Sequence, residues 1–174
     1  LSSVDAWATT YTVTNLNASG AGSLYAAVEA ANAAGGSHEI VFDSGLSGTI
    51  SYTSASDYTY GAAAMKVSCN LVITGPSGGV TLSRSSGSLR LFNVTGTLTL
   101  VDLTLANGYA KGGDGAQMGG GGGAGMGGAI FNGGALHIVN CLFYSNSATG
   151  GAGGYGYYGN GPGGGGGGMY GNGG

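Results

Sequence analysis

Seven carboxylates and four cations carry all the side-chain charge of this 174-residue chain, and they bound the chemistry it could perform. The acids are Asp5, Glu29, Glu39, Asp43, Asp57, Asp102 and Asp114; the cations are Lys66, Arg84, Arg90 and Lys111. Cleaving a polysaccharide takes two carboxylates facing one glycosidic bond, or a base beside a metal. Arg84 and Arg90 flank a turn and suit a sugar acid, but no carboxylate pair recurs beside them. His38 and His137 have no His, Cys or carboxylate partner at ligand spacing. His137 alternates with Leu136 and Ile138 and reads as an outward strand residue. No catalytic, metal or cofactor site is assigned, and the chain reads as a non-enzyme.

Three further motifs are weighed the same way. "GGDGAQMGG" (112–120) approaches the calcium-binding nonapeptide GGxGxDxUx but sets Gln117 where the ligand Asp belongs, so calcium is not supported. Cys69 and Cys141 fall out of phase and two repeats apart, about 9.6 Å at roughly 4.8 Å per layer, so two separate buried thiols are expected and no disulfide. Tyr155, Tyr157, Tyr158 and Tyr170 stand embedded in glycine. They read either as contacts for glycans or a second copy, or as pins holding loops to the body.

Composition narrows the partners. Net charge is −3 with no basic cluster, which speaks against nucleic acid, and no run reaches the roughly 18 apolar residues of a membrane span. The low content of Lys and Glu with much Ser, Thr, Gly, Asn and Tyr reads as extracellular. Leu1 is not an initiator methionine, so the chain is expected to begin after a leader.

Those few chemical groups must be positioned by elements of two kinds. Residues 1–111 hold 13 of the 42 glycines and residues 112–174 hold 29. In the first region, "TYTVTN" (10–15), "EIVFDS" (39–44), "GTISYTS" (48–54), "MKVSCNLVITG" (65–75), "VTLSRS" (80–85), "LRLFNV" (89–94) and "TLTLVDLTLANG" (97–108) read as strands. One helix is predicted over 22–36, with Ser23 as cap, Leu24, Val28 and Ala31 on one face, and Gly35 as stop. "LTLVDLTLANG" (98–108) repeats as "LHIVNCLFYSN" (136–146) at an offset of 38; "NLVITG" (70–75) is a fainter copy at 32, and "GGAIFNGG" (127–134) recurs as "GGMYGNGG" (167–174) at 40. Each copy reads strand, bend, strand, with Asn70, Asp102 and Asn140 at the bends. Neither half-strand can bury its face alone, so the copies are expected to stack. The alignment lines up Leu71, Leu103 and Cys141 in one interior column and Ile73, Leu105 and Phe143 in another. Leu98 and Leu100 lie over Leu136 and Ile138.

"YTVTNLNASGAGSLYAAVEAANA", "EIVFDSGLSGTI", "NLVITGPSGGVTLS", "LRLFNVTGTLTLVDLTLANG" and "GGAIFNGGALHIVNCLFYSNSA" together resemble the right-handed parallel β-helix domains of bacterial surface proteins. These are the domains found after a CSLREA motif and related to polymorphic outer-membrane proteins. The resemblance spans Tyr11 to Ala148 and implies an all-β solenoid with an N-terminal capping helix. Tyr25 and Ala26 depart from the Arg and Gln usual after "GSL".

The expected organisation is one domain over 1–174. It comprises cap and first coils (10–111), a Gly-rich loop (112–128), one coil (129–149), a second Gly-rich loop (150–168) and the start of a further coil (169–174). The glycine margins are either slack linkers or a second packed layer of polyglycine strands. The expected role is a non-catalytic extracellular stalk, fibre subunit, adhesin segment or biofilm-matrix component, associating with itself or with further repeats. A carbohydrate-binding module and a polysaccharide lyase or hydrolase are the alternatives.

Overall fold

The structure, a computed structural model, describes residues 9–116 and 120–154. It is mostly β, built from parallel sheets and one helix. Strand β1 (Thr9–Val13) precedes helix α1 (Leu24–Ala34), and β2 (Ser37–Phe42), β3 (Gly48–Tyr52) and β4 (Ala63–Val67) follow. The chain then runs through β5 (Asn70–Thr74), β6 (Val80–Arg84), β7 (Arg90–Val94), β8 (Thr97–Val101), β9 (Leu103–Ala106) and β10 (Tyr109–Lys111). After the glycine tract come β11 (Ile130–Asn132), β12 (Ala135–Val139), β13 (Leu142–Tyr144) and β14 (Ser147–Thr149).

α1 forms where expected. The Ser23 hydroxyl accepts from the Ala26 N–H, Gly35 takes φ 63 at the other end, and Leu24, Ala27, Val28 and Ala31 face inward. The helix packs on β1, β2 and β4 and so roofs the first turn of the chain. No helix among the described residues is long and apolar enough to cross a membrane.

The strands fall into sheets ordered β1-β2-β5-β8-β12, β13-β9-β6-β3, β11-β7-β4 and β10-β14, every ladder parallel. The chain visits the first three sheets in the same order on each circuit. Buried side chains of these three sheets therefore form one shared interior. One column runs Tyr11, Ile40, Ile73, Leu100, Ile138; another runs Thr9, His38, Leu71, Leu98, Leu136; a third runs Ile50, Leu82, Leu105, Phe143.

These registers correct the interior columns expected from sequence. The offset-38 match holds, with Leu98 over Leu136 and Leu100 over Ile138. The offset-32 match does not: Leu71 lies over Leu98 and Ile73 over Leu100, a step of 27, while Leu103 lies over Val80. Asp102 and Asn140 are bends at φ 54 and 50, but Asn70 sits inside β5. The equivalent corner one circuit earlier is Gly75: its N–H donates to the Val101 carbonyl at 2.8 Å, as the Asp102 N–H donates to the Val139 carbonyl at 3.1 Å. A second bend column, Asn107 and Ser145 at φ 59 and 53, follows the next strand.

Asp102 also accepts from the Asn140 side-chain amide, which ties the two corners together. Asp102→Val is expected to destabilise by about 1–3 kcal/mol, because a β-branched residue at positive φ is strained. Asp102→Asn should stay near wild type. Urea midpoints of the two variants distinguish corner strain from loss of charge.

Candidate functional site

The circuit that ends at β14 has nothing stacked on its outer side among the described residues, and it gathers most of their exposed large apolar side chains. Ile138 is 40% exposed, Leu142 58% and Phe143 40%, with Val139 and Tyr144 similarly open. Leu136 and Cys141 are only partly buried. This corrects the reading of Leu136, Ile138, Cys141 and Phe143 as core: Leu71, Ile73, Leu98, Leu100, Leu103 and Leu105 are buried, whereas these four belong to the last described circuit and have no layer above them among the described residues. Together with Ala129 and Ile130, Leu136 and Phe143 line a concave pit of about 420 Å³. β11, β12, β13 and β14 are all edge strands, and none contains Asp, Glu, Lys or Arg.

The described part of the glycine tracts is a packed layer and not slack chain. Segment 112–116 continues β10, segment 149–154 continues β14, and segment 120–125 returns beside both. Gly112 and Gly115 donate to the carbonyls of Thr149 and Ala152 at 2.9 and 2.7 Å; Gly151 and Gly154 donate to Gly123 and Gly120, each at 2.8 Å. Gly123 donates to Gly113 at 2.7 Å and Gly120 to Ala116 at 3.2 Å, which closes the cycle. Every donor lies three residues from the next along its segment. That is the period of the polyproline-II chain, which has no internal hydrogen bonds and turns its amides outward. A Cβ on Gly112, Gly115, Gly122, Gly125, Gly151 or Gly154 would come closer than 3.0 Å to a carbonyl of a neighbouring segment. None of the six has positive φ. Glycine is needed there for close approach. Lys111 pairs with Asp114 at 2.8 Å, and Asp114 accepts from the Ala152 N–H at 2.8 Å, which fastens two segments at their exposed rim.

The chain matches no family model, no curated protein and no solved structure.

Its chemical groups are scattered over structural tasks. Arg84 gives its Nε to the Asn107 carbonyl and lies over the Tyr109 ring. Arg90, buried, gives its Nε to the carbonyls of Met126 and Gly127 at 2.9 and 3.0 Å and lies over Phe131. Burial holds its guanidinium below the ordinary value. Phe131 stacks on Tyr60 with ring centroids 4.7 Å apart. His38 is buried in an interior column against the Gly35 carbonyl, and His137 lies on the outward column with Thr10, Glu39, Val72 and Thr99. Cys69 and Cys141 are free thiols; burial pushes the Cys69 thiol up, while Cys141 is half-buried and not fully buried as expected. Among the described residues, no three His, Cys, Asp or Glu side chains gather as a metal would require. Asp5, Tyr155, Tyr157, Tyr158 and Tyr170 lie outside the described residues.

Asp57 anchors a network that the sequence did not signal. It accepts from the buried Asn93 amide at 2.5 Å and from the Thr59 hydroxyl at 2.7 Å, and Lys66 donates to that hydroxyl at 3.2 Å. The link pins the excursion between β3 and β4 onto β7. Partial burial raises the Asp57 pKa, but the donors Asn93 and Thr59 and the Lys66 charge outweigh it and leave the carboxyl below its ordinary value. A depressed folded-state pKa contributes stability present above the unfolded value and lost as pH falls through the folded one. Asp57→Asn is expected to flatten the acid limb of stability below about pH 4 by a few tenths of a kcal/mol, read from urea midpoints against pH.

Proposed function

We propose that the chain is a right-handed parallel β-helix of the bacterial surface-protein type, serving as a non-catalytic extracellular stalk, fibre subunit or adhesive segment that associates end to end. The repeated sheet order supports a helix of parallel strands. Right-handed crossovers are the rule for parallel strands joined within one sheet. The observation that carries the role is the end left uncovered among the described residues: four uncharged edge strands around an apolar pit. Edge strands of proteins that stay single are blunted by charge, proline or bulges, and an apolar face of this kind marks an interaction site. A continuous interior of Leu, Ile and Val columns suits a stiff rod.

Sedimentation and electron microscopy test this. Wild-type protein should associate with rising concentration into rods one helix wide, and Phe143→Lys should stay dispersed with unchanged circular dichroism. Dispersed wild-type monomers at all concentrations would sink the reading.

Carbohydrate binding is a second reading with its own support. A cavity of about 290 Å³ is lined by Tyr25, Tyr52, Thr53, Ser54 and Ser56, and Tyr58 and Tyr60 stand exposed nearby in sequence. Rings and neutral hydroxyls without charge suit an uncharged sugar. Glycan-array signal that Tyr25→Ala abolishes would favour this reading, and array silence would remove it.

A further inference from the structure

Given end-to-end association, on which this rests, the structure points to the mating surface: we infer that the uncovered end of one molecule is closed by the α1 end of a second copy, with β1 adding in parallel to β12. Among the described residues β1 and β12 are the two edge strands of one sheet, and four successive parallel pairings already separate them. A second copy's β1 laid on β12 repeats the same step. It sets Thr9 over Leu136, Thr10 over His137, Tyr11 over Ile138 and Thr12 over Val139. Tyr11 and Ile138 are the terminal members of one interior column, Tyr11 half-buried and Ile138 40% exposed.

Charge and shape agree with a second copy as the occupant. β1 carries no charge, and neither do β11 to β14, so nothing on either face repels its counterpart. Elsewhere in the molecule α1 does what the missing layer would do: it roofs the turn formed by β2 and β4. Its outer row is Ala26, Ala30 and Ala33, with Glu29 as the helix's single charge. A solvated helix face is ordinarily charged or polar. A row of alanines allows close approach to the bulky rim of Ile130, Leu136 and Phe143 around the pit. The contact joins two different surfaces, so it does not close on itself and yields an open filament.

The register is tested by paired cysteines at two exposed outward positions, Thr10→Cys and His137→Cys, in the 174-residue chain carrying Cys141→Ser. Neighbouring strands lie about 4.8 Å apart, within disulfide reach. On mild oxidation the double variant should give a ladder of linear multimers on a non-reducing gel. A mixture of the two single variants should stop at dimers, and Thr12→Cys with His137→Cys should cross-link at least tenfold less. Ala30→Lys, on an exposed helix position, should leave circular dichroism unchanged and raise the concentration needed for assembly at least tenfold. Rods that form without the Thr10–His137 ladder would overturn this mating surface and leave end-to-end association standing. Monomers throughout, the outcome if residues 155–174 of the same chain take the end, would overturn both.

Discussion

Gly115→Ala and Gly154→Ala are expected to open the glycine layer, whereas Gly113→Ala, in the same tract, leaves it closed. A Cβ at 115 would run into the Gly120 carbonyl and one at 154 into the Ala116 carbonyl, and both obstacles are backbone that no rotamer change can clear. At 113 a Cβ meets nothing within 4 Å, and φ is not positive. Overpacking of this kind costs about 1–3 kcal/mol. The segments that separate lose hydrogen bonds worth about 0.5–1.5 kcal/mol each. The amides of Gly112, Gly115, Gly123, Gly151 and Gly154 should therefore lose at least about tenfold in hydrogen-exchange protection, since about 1.4 kcal/mol is tenfold. Gly113→Ala should be neutral or slightly stabilising, because it restricts the unfolded chain. Equal protection in the Gly113→Ala and Gly115→Ala variants would show that the segments are not held by close approach.

That contrast also explains which parts of the molecule could be read in advance. The strands and α1 were legible because burial selects side chains with a period. "LTLVDLTLANG" and "LHIVNCLFYSN" match because Leu98, Leu100 and Leu105 each lie directly beneath their counterparts. The offset-32 copy misled because strand, bend, strand recurs at two corners of one circuit. At the true corner the bend residue is Gly75, whose replacement would strike the Asp102 carbonyl and which leaves no polar signature. Asn107 and Ser145 were bends in plain view, but "ANG" and "YSN" also read as ordinary strand ends. That the glycine margins could form a packed layer was readable from their length, but how they pair was not. Its contacts are backbone to backbone, so nothing in a run of glycine specifies which run it meets. The Asp57–Asn93 network joins residues 36 apart across an irregular excursion, where no period exists to align them.

Leu100→Ala and Ile138→Ala, two truncations in one column, are expected to differ most between the free and the assembled protein. Leu100 is fully buried between Ile73 and Ile138, so its truncation leaves a cavity and should cost about 2–5 kcal/mol at any protein concentration. Ile138 has Leu100 beneath it and no described residue stacked above, and it is 40% exposed. In dilute monomer its loss removes only part of the transfer term, about 1 kcal/mol. In assembled protein, where Tyr11 of the next copy covers it, the same truncation should approach the cost of a buried site. Anything that binds only the folded state adds stability that grows with concentration. Wild-type melting temperature should thus rise with protein concentration, Leu100→Ala should lower it by a similar amount at every concentration, and Ile138→Ala should flatten the rise itself. Parallel wild-type and Ile138→Ala curves would mean that this side chain stays exposed in whatever state the protein adopts. A flattened curve would locate the missing layer of the column on Ile138.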